Sequence, residues 1–134
     1  MLGDGARRNL RKMDRQQFEQ EVAHAIEQVP RDIRRQIANV AIVVEDLPDD
    51  VTMDMAEVDD PYELFGFYHG VPLTQRTHNY GLISPDKISI FRQPILAACH
   101  SDDEARAMIH RTLRHELAHY FGIDDDRLEE LGAY

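Results

Sequence analysis

Cysteine is nearly absent from this chain of 134 residues, Cys99 being the only one. No internal disulfide can form, and a four-cysteine zinc site is excluded. Such thiol usage fits a reducing cytoplasm. Long apolar runs are missing as well. No stretch approaches the roughly eighteen consecutive apolar residues of a membrane span. The start, MLGDGARRNLRKMDRQQ, is basic but lacks the apolar run of a secretory signal. Positive charge is in deficit: 15 Lys and Arg stand against 25 Asp and Glu, a net charge of −10. A surface of that sign repels phosphate backbones and anionic lipid, so nucleic acid and membrane are set aside as partners. Internal repeats and low-complexity segments are lacking too. Small molecules, peptides or proteins remain as partners of a soluble chain.

What is present suffices for one domain. With 43% hydrophobic residues the chain can build a single core, whereas two domains would each be too small. Residues 1–13 read as a loose, Arg-rich arm and residues 14–134 as the domain. Asp14 is placed to cap a helix with Gln17 three residues on, while Met13 and Phe18 form a hydrophobic staple. Phe18, Val22, Ala25, Ile26 and Val29 follow at helical spacing up to Pro30, which opens a second short helix through Ile33 and Ile37. VAIVV, residues 40–44, is β-branched and bounded by DLPDD, and predicts a buried strand. Between Glu45 and Glu63 there are nine acidic residues and no basic one. Their spacing lacks the glycine and terminal glutamate of an EF-hand loop, and a long solvated surface loop is predicted. LFGFYHG (64–70) and ISIFRQP (88–94) predict two further strands, with PLTQRTHNYG between them as loop. Helices flanking a small mixed sheet give an α+β domain.

The last long helix carries the chemistry. Ser101 and Glu104 form a capping box, Asp102 and Asp103 complement the helix dipole, and the helix runs to about Phe121, where Gly122 ends it. Within it lie His115, Glu116 and His119. Four residues advance a helix by ~400°, so the two imidazoles are offset by only ~40° and lie one turn apart. Ile109, Leu113, Leu117 and Tyr120 form the core stripe, and both histidines project on the side of Met108 and Thr112. Glu116 projects between those two sides, leaving Arg111, Arg114 and Ala118 to solvent. Two imidazoles can therefore reach one ion. A catalytic zinc takes a third protein ligand and keeps its fourth position open. Gly122 tolerates a left-handed backbone and lets the chain turn back, so that Asp125 arrives as an oxygen ligand. Glu116 stands where it can accept a proton from metal-bound water, whose pKa zinc lowers to roughly 7, and pass it to a leaving amine.

The competing reading is a pair of surface or core histidines at a helix end, where positive charge suits the dipole. Shuffling a chain of this composition yields H-E-x-x-H in roughly 3% of trials. Requiring glycine three residues on, and Asp three after that, lowers the chance by about two further orders of magnitude, which favours the metal. Asp124, Asp125 and Asp126 stay open in one respect. Any of them can cap the short helix that RLEEL predicts, and a cap and a ligand can be neighbours. Arg76, His78 and Tyr80 are candidate donors to an oxyanion, though each serves as readily in local loop hydrogen bonds. His110 falls at the margin of the core stripe as a boundary histidine, and Cys99 is a buried small apolar residue.

His115 to Asp125, HELAHYFGIDD, resembles the zincin metallopeptidase signature in its H-E-x-x-H-x-x-G-x-x-D form. More closely, the chain is similar to the minimal zincins, small bacterial proteins of zincin-like metallopeptidase type. The supporting stretches are VAIVVEDLP (40–48), GVPLTQRTHNYG (70–81) and DKISIFRQPIL (86–96). The resemblance implies a compact zincin-like α+β fold with a long C-terminal metal-binding helix. It also implies one zinc per chain held by His115, His119 and Asp125, with Glu116 as general base and a peptide or protein as substrate. It implies too that the strand near Ile88 to Arg92 borders the cleft and offers its edge to an extended peptide. No methionine follows His119, so the Met-turn of larger metzincins is absent. The alternative to hydrolysis is a non-catalytic zinc-binding module that binds a protein or peptide partner and draws stability from its metal.

Overall fold

A computed structural model describes residues 13–75, 86–124, 126 and 127. Within them lie five α-helices and three strands, in the order α1 Arg15–Gln28, α2 Arg31–Gln36, β1 Ala41–Glu45, α3 Asp50–Ala56, β2 Gly66–His69, β3 Lys87–Phe91, α4 Arg92–Ala98 and α5 Asp102–Tyr120. The α+β class follows the sequence expectation. Residues 1–12 of the expected arm lie outside the described residues, whereas Met13 is buried in the core. No helix among the described residues is long and apolar enough to cross a membrane.

Helix α1 starts as its sequence dictates. The Asp14 carboxylate accepts from the Gln17 amide N–H at 2.8 Å, and the Gln17 side chain accepts from the Asp14 N–H at 3.0 Å. Phe18, Val22 and Ala25 form its buried stripe, which packs against α5. At that junction Glu21 meets His110 Nε2 at 2.7 Å, so the boundary histidine is a partnered one.

The three strands pair in the order β1-β3-β2. β3 runs parallel to β1, with Ala41 opposite Lys87 and Glu45 opposite Phe91, and antiparallel to β2, with Gly66 opposite Ile90 and His69 opposite Lys87. This corrects one expectation. The strand at Ile88 to Arg92 is the middle of the sheet, hydrogen-bonded on both sides, and among the described residues β2 is an edge. Ile88, Ser89, Ile90 and Phe91 are all fully buried, as a central strand covered on both faces requires. Side chains alternate along the pleat. Gly66, Tyr68, Ile88 and Ile90 face α5, and Phe67, His69 and Ser89 face away.

Two further expectations are corrected. The acidic stretch from Glu45 to Glu63 is no continuous loop. Asp49 caps α3 by accepting from the Thr52 N–H at 2.8 Å, and Asp50 lies in its first turn. These hydrogen bonds from Thr52 hold the Asp49 carboxyl below the ordinary carboxylate range. Carboxylates read as solvated loop are here the capping groups of a short helix. A 3-10 turn, Pro61–Glu63, follows. The second correction concerns ISIFRQP, which is strand only to Phe91; Arg92, Gln93 and Pro94 open α4. Pro94 sits in the first turn, where its missing N–H has no intrahelical partner to lose.

Candidate metal centre

Helix α5 brings three of the four predicted residues, His115, Glu116 and His119, together. Its N-terminus is fixed by Ser101, whose hydroxyl accepts from the Glu104 N–H at 3.2 Å, while the Glu104 carboxylate accepts from the His100 N–H at 2.8 Å. Ile109, Leu113, Leu117 and Tyr120 are buried on the face expected. With that stripe committed to the core, the helical repeat leaves His115 and His119 on the adjacent face. Their ring centroids are 4.5 Å apart at an interplanar angle of 72°. Glu116 is 6% exposed, and its Oε1 lies 3.4 Å from His119 Nδ1. One ligand atom from each of His115, Glu116 and His119 lies within 4.8 Å of the others. Two imidazoles are donors that suit a borderline-soft divalent cation such as zinc, and the Glu116 carboxylate stands beside them.

The group stands on one wall of a cleft of about 550 Å³. Thr112, Met108 and Arg111 continue this wall towards the start of α5, and Leu64 to Tyr68, ending in β2, form the opposite wall. Arg111, assigned to solvent by helical spacing, is exposed and also borders the cleft. The two walls meet because residue 66 has no side chain. A Cβ there would sit 2.6 Å from Thr112 Cγ2 and 3.3 Å from Glu116 Cγ. Gly66 thus lets the helix lie directly on the edge strand at the level of Glu116. The one signal of this contact in the sequence is a glycine inside a strand pattern, which marks close approach of another element. Tyr68 and Tyr120 add an edge-to-face pair, with centroids 5.7 Å apart, between the same two elements.

On the far side of β2, His69 Nε2 lies 3.1 Å from Ser89 Oγ, and its ring packs edge-to-face on Phe67 at 4.9 Å. Burial, and secondarily the Lys87 ammonium, hold this imidazole below the ordinary histidine range against the opposing pull of Glu45, Asp49 and Glu116. His69 was unassigned in the sequence and is a packed, hydrogen-bonded residue behind the cleft wall.

Past α5 the chain turns at Gly122, whose φ of +88° is left-handed. The Gly122 and Ile123 N–H groups donate to the carbonyls of His119 and Ala118, each at 2.9 Å. Asp124 then accepts from the Arg127 N–H at 2.9 Å, so the capping role expected of the aspartate run falls on Asp124. Asp125, the expected third ligand, lies outside the described residues. So do Arg76, His78 and Tyr80, and most of RLEEL. Cys99 is buried, as expected of a small apolar residue.

The geometry of two histidines one turn apart, a buried glutamate between them and a strand edge across a cleft invites comparison with known proteins. Comparison with curated proteins gives no match. A family model described as zincin-like metallopeptidase matches residues 37–133, a span that includes the whole sheet, α5 and the chain beyond it. The chain belongs to the zincin-like metallopeptidase family.

Proposed function

We propose that this protein is a zinc-dependent hydrolase of peptide bonds, with His115, His119 and Asp125 holding one zinc per chain and Glu116 acting as general base. The observation that carries the reading is the convergence of His115, Glu116 and His119 on one wall of an open cleft whose other wall is a sheet edge. Asp124 is engaged as a helix cap, which favours its neighbour Asp125 as the third ligand. Zinc, when bound, supplies a Lewis acid that polarises the scissile carbonyl and acidifies water. The protein's own residues do the rest. The Glu116 carboxylate takes the proton of the attacking water and returns it to the departing amine nitrogen. An extended peptide lies along β2, adding backbone hydrogen bonds at the edge that β3 does not occupy. The peptide or protein substrate fits an acidic surface better than nucleic acid or lipid would, and the single cysteine accords with a cytoplasmic setting.

Glu116→Gln tests this reading. The amide keeps the shape and loses the basicity, so hydrolysis of a peptide library should fall by about a hundredfold or more. Zinc content by elemental analysis should stay at that of the parent. A Glu116→Gln protein as active as the parent overturns the mechanism.

A further inference from the structure

The segment joining β1 to β2 has an inner and an outer face. On the inner side Ala56 and Val58 line the cleft beside α5, and Thr52 is buried. On the outer side Val51 and Met55, one turn apart on α3, are 65% and 54% exposed. Asp50 and Asp54 form the neighbouring row, since each precedes its apolar partner by one residue, or ~100° of helix. Among the described residues five large hydrophobic side chains are exposed, and four of them, Leu47, Val51, Met55 and Tyr62, fall in this one segment. Counted with Glu45 at the end of β1, nine acidic residues and no basic one run through it.

Four of those nine are engaged within the fold. Glu45 pairs with Lys87, Asp46 pairs with Arg15 and Arg92, and Asp49 and Asp60 cap turns. Asp50, Asp54, Glu57, Asp59 and Glu63 are exposed and make no ion pair among the described residues. Apolar side chains left in water beside carboxylates that have no ion pair among the described residues fit a partner that brings both apolar surface and positive charge. A second copy of this chain is a poor occupant, because a two-fold contact would set these carboxylates against themselves.

We propose that the outer face of α3 is a docking surface for a cationic polypeptide stretch with apolar residues interspersed, which holds the substrate while the adjoining cleft takes the bond to be cut. The second clause rests on the hydrolase reading, whereas docking itself does not. Binding is therefore measured apart from turnover. A fluorescent peptide of alternating lysine and leucine is titrated with the full chain in the presence of chelator, alongside a glutamate–leucine and a lysine–serine counterpart.

The lysine–leucine peptide should bind saturably and more weakly at high salt. Its Kd should rise by about tenfold or more in V51S/M55S, in D50N/D54N and on exchange of leucine for serine, a factor well resolved by titration. The glutamate–leucine peptide should not bind, and Glu116→Gln should dock as the parent does. Equal affinity for the parent and both double variants overturns the proposal, as does equal binding of the glutamate–leucine peptide. Parent dimers in sedimentation that V51S/M55S dissolves also overturn it, by giving the face to a second copy. Docking without hydrolysis in the zinc-loaded parent defeats the hydrolase reading alone. Hydrolysis of a lysine–leucine peptide with an unchanged KM in both double variants defeats the docking reading alone.

Discussion

Gly66 shows how far a single residue reaches into the site. Its missing side chain sets the separation between β2 and α5 at Glu116. A methyl group there meets Thr112 Cγ2 at 2.6 Å and the Ser89 carbonyl oxygen at 3.0 Å, neither of which has room to yield, since Thr112 and Ser89 are buried. Gly66→Ala should therefore push the helix off the strand, costing about 1–3 kcal/mol by overpacking. If Glu116 is the general base proposed above, hydrolysis should suffer more than stability, because that residue is the one displaced. Urea melts and turnover on the same preparation compare the two losses. His69 gives a second test. Its pKa is depressed in the folded state, so folding favours the neutral ring. The stability this provides is complete above the unfolded value of about 6.5 and is lost as pH falls through the lower folded value. Urea midpoints measured downward from neutral pH should decline more steeply in the parent than in His69→Gln, which cannot titrate. At this scale the sequence is legible where chemistry and spacing coincide, as with His115, Glu116 and His119. At Gly66 it signals only that something comes close, and not what, because the element that does so is distant in the chain.

At the scale of elements, legibility followed local signals. The Asp14–Gln17 box, the β-branched run at β1 and the period of α5 are short-range patterns, and each marks its element within a residue or two, although β1, expected to be buried, is half-buried with Ala41 exposed. α3 is not legible, because its carboxylates suit a loop and an N-terminal turn equally well. α4 is hidden too, because Pro94 reads as a strand or turn residue unless its place in a first turn is known. The edge position of β2 is a matter of pairing order, which no local pattern contains. The end of α5 offers the sharpest prediction here. Gly122 holds a left-handed φ, and a Cβ on it would strike the Thr74 side chain. Gly122→Ala should cost about 1–2 kcal/mol for the backbone alone. If the turn delivers Asp125 to the metal, zinc affinity should drop as well. A competition titration against a chromogenic chelator reads that affinity directly, and an unchanged zinc Kd would separate the turn from the site.

For the whole molecule, the family match and the folding unit differ in extent. The match begins at residue 37, yet α1 supplies Phe18, Val22 and Ala25 to the core and Glu21 to His110. A protein shortened to residues 37–134 should lose that packing, expose the facing stripe of α5 and become a poorly soluble species. Thermal melting and light scattering of the shortened protein beside the full chain check this. The sheet order has its own consequence for biosynthesis. The middle strand is the last of the three to leave the ribosome, so β1 and β2 wait without partners until Phe91 has been made. During that interval the nascent β-branched run of β1 is an aggregation hazard, and the carboxylates translated directly behind it act as gatekeepers against pairing with neighbouring nascent chains.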